Sequence, residues 1–215
     1  MKVLALSDLH GKFFRLDAII KKSDPVDAIV ICGDITHGGP EVSAVRTISE
    51  LKQLCPTVLF VPGNWDTREV VEGLGRYTDA INLDVSPRII KNTLFMGIGY
   101  SNPTGNNTPS EISEEEIANK LETLFREMPA VDRKVLVTHA PPLDTLDMTP
   151  KGAMGSKSLR AALDKFDLII CGHIHKARGK VKDGAWLINP GYAAEGQAAI
   201  IDLETFDVVW IDSVI

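Results

Sequence analysis

The chain has 215 residues, enough for one domain spanning 1–215 with a sizeable core, and its 44% apolar and 24% charged content is ordinary for a globular fold. A net charge of −6 argues against a general nucleic-acid or membrane-surface binder, since both need a basic face. The three cysteines, Cys32, Cys55 and Cys171, have no ligand spacing and read as small core residues in a reducing cytoplasm.

The chain enters a first strand at once, over residues 2–7, with no signal peptide, and no apolar run approaches membrane-spanning length. Phe13, Leu16, Ile19 and Ile20 recur at helical spacing up to Lys22. Ala28-Ile29-Val30-Ile31 is apolar on both faces, the pattern of a buried parallel strand. Pro40 fits a first helical residue, with Val42, Val45, Ile48 and Leu51 as the apolar face of the helix it opens. Val58-Leu59-Phe60-Val61 is the next strand, and a short helix follows from about Asp66 to Glu72. After Ala80 come short β segments, Arg88–Ile90 and Thr93–Ile98, and then a turn-rich loop from Gly99 to Ser110. Ser113 with Glu116 forms a capping box opening a helix that carries Ile117, Leu121, Leu124, Phe125 and Met128 on one side. The strand Val135–Val137 precedes a second long loop, Pro141–Gly155, and a helix capped at Ser156 with Leu159, Leu163 and Phe166. Leu168–Cys171 leads into a His173/His175 strand, and the basic run Lys176–Lys182 reads as a solvated hairpin. The tail carries antiparallel-looking strands, Ala185–Ile188, Ala198–Asp202 and Val208–Ile211, punctuated by Asn189-Pro190-Gly191. The front half alternates β and α while the back half is β-rich. This predicts two sheets packed face to face with helices outside.

The chemistry sits where strands end. Five apolar strands deliver, at the same end, Asp8-Leu9-His10, Gly33-Asp34, Gly63-Asn64-Trp65-Asp66, Thr138-His139 and Gly172-His173-Ile174-His175. That end is where open α/β sheets keep their sites, and a carboxylate there is costly unless it is paired or binds a metal. Asp-x-His or Gly-Asp alone is an ordinary strand-end turn, and Gly-His-x-His can cap as readily as ligate. Jointly, however, all five histidines of the chain fall within a few residues of a strand's carboxyl end. Asp8, His10, Asp34, Asn64, His139, His173 and His175 offer oxygen and imidazole donors without thiolate. That set suits two divalent transition-metal ions, Mn first, with Fe, Zn or Ni as alternatives. Two such ions about 3.5–4 Å apart can clamp the attacking and leaving oxygens of an in-line displacement at phosphorus, with a bridging hydroxide as nucleophile.

At these blocks the chain resembles the calcineurin-like metallophosphoesterase superfamily, in the family's order and from residue 8 to residue 175. The resemblance implies a four-layered α/β/β/α sandwich. It also implies one metal on Asp8, His10 and His175, a second on Asn64, His139 and His173, and Asp34 bridging them. The third block departs from the family pattern, which carries a histidine where this chain has Trp65. Indole offers a single donor and no acceptor, and Asp66 is left without its usual partner. His37, the one histidine outside the ligand set, is the candidate substitute, which would protonate the departing oxygen or steady its growing charge with Asp34 and Asn64 completing the catalytic group; the alternative is a loop histidine with no role.

The resemblance thus implies a dimetal phosphodiesterase acting on a small or exposed phosphoester. The arginine that serine/threonine phosphatases of the superfamily carry after Gly-Asp is missing from Gly33-Asp34-Ile35-Thr36-His37-Gly38-Gly39. A nuclease would bring a basic groove or capping domain. The rival from another class is a catalytically weak scaffold or protein-interaction module on the same fold. The native metal, the physiological substrate and the oligomeric state are not encoded in any motif.

Overall fold

The computed structural model describes residues 1–126 and 128–213. Its strands are β1 (Lys2–Leu6), β2 (Ala28–Cys32), β3 (Val58–Val61), β4 (Ile81–Asn82), β5 (Arg88–Ile90), β6 (Thr93–Ile98) and β7 (Arg133–Thr138), then β8 (Met148–Thr149), β9 (Gly152–Ala153), β10 (Leu168–Ile170), β11 (Gly179–Asp183), β12 (Ala185–Asn189), β13 (Gln197–Asp202) and β14 (Val208–Asp212). The helices are α1 (Leu16–Lys22), α2 (Glu41–Leu54), α3 (Arg68–Tyr77), α4 (Glu114–Arg126) and α5 (Lys157–Ala161).

Two six-stranded mixed sheets form, in the orders β14-β13-β1-β2-β3-β4 and β11-β12-β10-β7-β6-β5. Strands β1 to β4 run parallel in the first, as do β6, β7, β10 and β12 in the second. The apolar strands divide their faces by size. Val3, Ala5, Ala28 and Val30 point inward against Phe95, Val137 and Ile170 of the second sheet. Leu4, Leu6, Ile29 and Ile31 point outward under α1, α2 and α3. On the far side Met96, Leu136 and Ile169 lie beneath Ile117 and Leu121 of α4 and Leu159 of α5. On β1 and β2 the smaller residues face the second sheet, whose larger Phe95 and Ile170 fill the space between the layers, and the larger ones fill the gap to the helices. The result is the four-layered α/β/β/α sandwich the sequence predicts.

Local chemistry sets several boundaries as expected. Ser113 and Glu116 exchange reciprocal hydrogen bonds at the start of α4, with Ser113 N–H donating over 2.7 Å and Glu116 N–H over 3.1 Å. Ser156 Oγ accepts from Leu159 N–H at the start of α5. The run after Lys176 pairs as the hairpin β11–β12, with Lys180 lying over the Trp186 ring. All three cysteines are free and buried.

Other boundaries move. Pro40 is the cap of α2 and not its first residue, because its extended backbone (ψ 159°) delays the start of the helix by one residue, to Glu41. Its buried face is Ala44, Thr47, Ile48 and Leu51, and Val42 is 66% exposed. Helix α3 starts at Arg68, where Thr67 caps it, and continues to Tyr77. The short β4 and the β8–β9 hairpin inside the Pro141–Gly155 loop carry no sequence signal strong enough to predict them. Strand β12 runs parallel to β10 while pairing antiparallel with β11, so the tail is not purely antiparallel. No helix among the described residues is long and apolar enough to cross a membrane.

Candidate dimetal centre

The exits of β1, β2 and β3 in one sheet and of β7 and β10 in the other meet at one end of the sandwich. Backbone hydrogen bonds continue past the strands and tie the exits together. Asp8 N–H donates to Gly33 C=O (3.1 Å), His10 N–H to Asp34 C=O (2.9 Å) and Gly172 N–H to His139 C=O (3.0 Å). The side chains are turned inward by backbone conformations that few residues adopt: Asp8, His10, Asp34 and His173 all have positive φ, between 46° and 67°. Four such non-glycine residues in one place are a concentration of local strain of the kind found at functional sites. β10 ends at Ile170, so His173 and His175 lie in a turn closed by Ile174 N–H on Gly172 C=O (2.7 Å), not on a strand.

The flanking glycines are there for space. A Cβ on Gly172 would fall 1.7 Å from Ser7 Oγ and 2.9 Å from Asp8 Oδ2. One on Gly33, which has φ +81°, would fall 2.5 Å from His139 Nδ1. The Gly-Asp and Gly-His blocks therefore record the close approach of neighbouring exits.

Seven side chains converge as two overlapping groups. In the first, His175 Nε2 is 3.3 Å and His10 Nε2 3.8 Å from Asp8 Oδ1, and the two imidazole nitrogens are 3.1 Å apart. In the second, His139 Nε2 is 2.8 Å from Asn64 Oδ1 and 3.2 Å from His173 Nδ1. Asp34 Oδ2 stands between them, 3.5 Å from His10 Nε2 and 3.4 Å from His139 Nε2. Its other oxygen, Oδ1, accepts the Trp65 N–H at 2.8 Å.

The donor set fits divalent metal ions. Asp8 Oδ2 accepts from Ser7 Oγ (2.5 Å) and His173 N–H (3.0 Å), whereas Oδ1 is buried with no hydrogen-bond partner. An anionic oxygen left alone in a buried site is costly, and a cation removes that cost. His139 Nδ1–H donates to Cys32 C=O (2.7 Å), which leaves the Nε2 lone pair for coordination. Oxygen and imidazole donors without thiolate are those of Mn, Fe, Zn or Ni.

Protonation follows from the same contacts. Burial lifts the Asp8 carboxyl, but the imidazoles of His175 and His139 and the Ser7 hydroxyl outweigh it and hold the group well below its usual range. Burial disfavours charge on His139, yet Asp34, Asp8 and the Cys32 carbonyl overcome it and push the group up to about 9. Burial and the neighbouring His139 charge press His173 down to about 4. Burial also lowers His10, against the pull of Asp34 and Asp8. Without cations, then, the two carboxylates keep a proton on His139.

His37 is exposed at the mouth, stacked on Trp65 with ring centroids 4.0 Å apart, and its Nδ1 is 3.1 Å from His10 Nδ1. Asp66 is not stranded by the absence of a histidine at position 65. It accepts hydrogen bonds from the backbone of Ile35, Thr36 and Gly63 and from Thr36 Oγ1, pinning the β2 and β3 exits to each other. Two further residues escape sequence reading. Asn189 donates to Ile174 C=O (3.1 Å) and accepts from Gly191 N–H (2.8 Å), bracing the turn that carries His173 and His175. Tyr192 stacks on His175 at 4.0 Å and 10°. The Asn-Pro-Gly punctuation was visible, but only the fold brings it to the histidines. A pocket of about 730 Å³ opens above the cluster, walled by the loops around residues 104–108 and 149–154.

Comparison with known proteins decides the family: residues 1–208 match the calcineurin-like phosphoesterase superfamily domain. The chain belongs to that superfamily. It is 39% identical over 199 residues to uncharacterized protein MJ1162 of Methanocaldococcus jannaschii, covering 88% of each chain. Its fold is similar to TT1561 of Thermus thermophilus (TM-score 0.78, 16% identity, 99% of each chain). It is also similar to a dimetal phosphatase from Danio rerio (TM-score 0.64, 14% identity, 100% of this chain and 96% of that one). This superfamily member therefore carries Asp and His groups able to hold metal, and its superfamily is one of metal-dependent phosphoric ester hydrolases.

Proposed function

We propose that the chain is a cytoplasmic dimetal phosphodiesterase for a small or exposed phosphodiester. The observation that carries this reading is the position of Asp34 Oδ2, shared between His10 of one donor group and His139 of the other. Asp8, His10 and His175 would hold one ion, Asn64, His139 and His173 the other, and Asp34 both, with Mn the favoured metal. When bound, the ions supply Lewis-acid charge to the phosphoryl oxygens and acidify the attacking water.

The protein's own residues orient and steady the reaction. With His10 Nε2 turned to the metal, its Nδ1 keeps the hydrogen and donates to His37 Nδ1. An imidazole of His37 that accepts at Nδ1 carries its hydrogen on Nε2. As His37 lines the pocket, that N–H is available to the oxygen on which charge grows. Trp65 holds the imidazole by stacking and takes no part in proton transfer. The pocket lining offers no arginine among the described residues, and its two lysines are at exposed loop positions. A dianionic monoester would be neutralised less well there than a diester.

The test compares kcat/KM on matched aryl mono- and diesters with Mn²⁺-loaded protein. Diester preference is expected, and a clear monoester preference overturns the diesterase reading. A protein that binds the metals yet turns over neither ester with any of Mn, Fe, Zn or Ni is the scaffold of the rival reading.

A further inference from the structure

The pocket above the cluster is far larger than one phosphoryl group needs; its volume is that of a site for a drug-sized ligand. Its charge is also unlike the rest of the molecule. The chain carries −6 overall, yet among the described residues Asp34 is the single acid lining this pocket, and Asp34 belongs to the metal donors. Lys12 and Lys151 line it too, and neither makes an ion pair among the described residues. Lys12 follows the β1 exit, with Nζ 5.8 Å from the centre of the Tyr192 ring that covers His175.

Lys151 comes from another segment of the chain, at the tip of the β8–β9 hairpin. That hairpin has a rigid base. Asp147, fully buried, accepts from the N–H groups of Asp144, Thr145 and Gly155. Asn102 Nδ2 donates to Met154 C=O (3.3 Å), joining the hairpin to the neighbouring loop. Thr149 Oγ1 accepts the Lys151 N–H (3.1 Å) at the tip itself. Two ammonium groups without an ion pair among the described residues, one of them on a braced hairpin, thus line a pocket whose floor would neutralise one phosphoryl group with its metals bound.

We propose that the substrate is polyanionic: a phosphodiester whose non-reacting part carries a second anionic group, phosphate or carboxylate, recognised by Lys12 and Lys151. The inference rests on the phosphoesterase reading for its floor and adds the charge of what the walls hold. Cations in a recessed pocket of an acidic protein also steer anions to it, so salt should weaken the preference.

The experiment uses non-hydrolysable probes on the full chain loaded with Mn²⁺. Benzylphosphonate is compared with 4-sulfobenzylphosphonate and with a longer sulfonaphthylmethylphosphonate by isothermal titration. One or two solvent-exposed ion pairs should make a sulfonated probe roughly three- to tenfold tighter at low salt. Lys12→Gln and Lys151→Gln should each reduce that ratio, and the double variant should bring it to one. Equal binding of sulfonated and plain probes by the unmodified protein overturns the inference. So does a double variant that loses as much affinity for benzylphosphonate as for the sulfonates, since the lysines would then serve the reacting phosphoryl group. Turnover of matched 4-nitrophenyl phenyl and 4-nitrophenyl 4-sulfophenyl phosphates is measured in parallel. Absence of any turnover counts against the phosphodiesterase reading alone, because the binding ratio is independent of it.

Discussion

The floor and the walls of the pocket are built on opposite principles. On the floor, Asp8, Asp34, Asn64 and His139 are buried at strand exits, fixed by a shared backbone ladder and by glycines that admit no Cβ. On the walls, Thr104 and Asn106 come from an irregular loop and Thr149 and Lys151 from the short β8–β9 hairpin, at half-buried or exposed positions. A floor of this kind fixes where charge is placed and tolerates almost no substitution. Walls of this kind decide which molecule reaches that charge, and can vary without disturbing it. Breaking the floor should therefore cost chemistry, and breaking the walls should cost selectivity.

The largest effect expected is at the shared carboxylate. Asp34→Asn leaves a neutral amide between two cations, so activity should fall about 10²–10³-fold or more. Exhaustive chelation should abolish hydrolysis, with Mn²⁺ among the ions that restore it. Full activity after chelation, checked by elemental analysis, would remove the dimetal reading altogether.

Acidity gives the next effect, also on the floor. His139, raised to about 9 in the metal-free protein, is protonated at pH 7, and a metal must displace that proton from Nε2. Metal uptake at pH 7 should release close to one proton from this group, about half a proton near pH 9 and almost none well above it. Its contribution raises apparent metal affinity about tenfold per pH unit between 7 and 9. The stability linkage has the opposite sign. A pKa raised above its unfolded value of 6.5 stabilises the metal-free fold fully below pH 6.5 and loses that contribution as pH climbs through 9. Titration calorimetry in buffers of different ionisation enthalpy, with thermal unfolding across the same range, reads both signs.

Asn189 tests how far the floor extends. Asn189→Ala removes the donor to Ile174 C=O and the acceptor of Gly191 N–H, loosening the turn that aims His173 and His175. Metal affinity or activity should drop by roughly 10–100-fold, as for other outer-shell partners. If affinity is unchanged while stability falls, the residue only holds the chain together.

His37 lies at the seam between floor and wall. As a hydrogen-bond donor to a poor leaving group it matters most for alkyl or ribose oxygens, where such assistance is typically worth about 10²–10⁴-fold when full proton transfer is involved, and less for a hydrogen bond alone. His37→Ala should cost around tenfold or more on an alkyl diester and little on a nitrophenyl diester, with metal content unchanged. Equal losses on both substrates would make His37 a phosphate binder or a prop for His10.

The floor was legible in sequence because each of its parts is local. An apolar run and an oxygen or imidazole donor occur together five times over, three times with a glycine between them, and the parallel-sheet rule brings such ends to one edge. The capping box at Ser113 and the cap at Ser156 are equally local. What escaped depends on contacts between distant segments. Asp66 looked bereft because its partners, Ile35 and Thr36, are backbone groups some 30 positions away. Asn189 and Tyr192 reach the histidines only through the pairing of β12 with β10. Val42 fell on the predicted apolar face of α2, but Ala44 and Thr47 turn to the sheet in its place. The β8–β9 hairpin, two residues a side, is held by the Asp147 network more than by any strand propensity.

The smallest predicted effect isolates a wall. Glu111 Oε1 accepts from Thr104 N–H (3.3 Å), Thr104 Oγ1 (2.5 Å) and Thr108 Oγ1 (2.8 Å), and so holds Thr104 and Thr108 of the pocket lining. Burial tends to raise this carboxyl, but the hydrogen bonds from Thr104 and Thr108 outweigh it and set the group below its ordinary range. Glu111→Ala frees those threonines and lets the loop sample other shapes, with no contact to any metal donor altered. KM for a bulky diester should rise a few-fold, about the worth of one or two hydrogen bonds spent on ordering, while metal content stays the same. For a minimal methyl aryl diester, which does not reach that wall, kcat/KM should stay within about twofold, a difference smaller than one net hydrogen bond. Because the carboxylate form is the one that binds the threonines, acidification through its lowered pKa should reproduce the KM change in the unmodified protein and leave Glu111→Ala unaffected. A loss of kcat or of bound metal in Glu111→Ala would mean that the wall and the floor are mechanically coupled, and the division between chemistry and selectivity would fall.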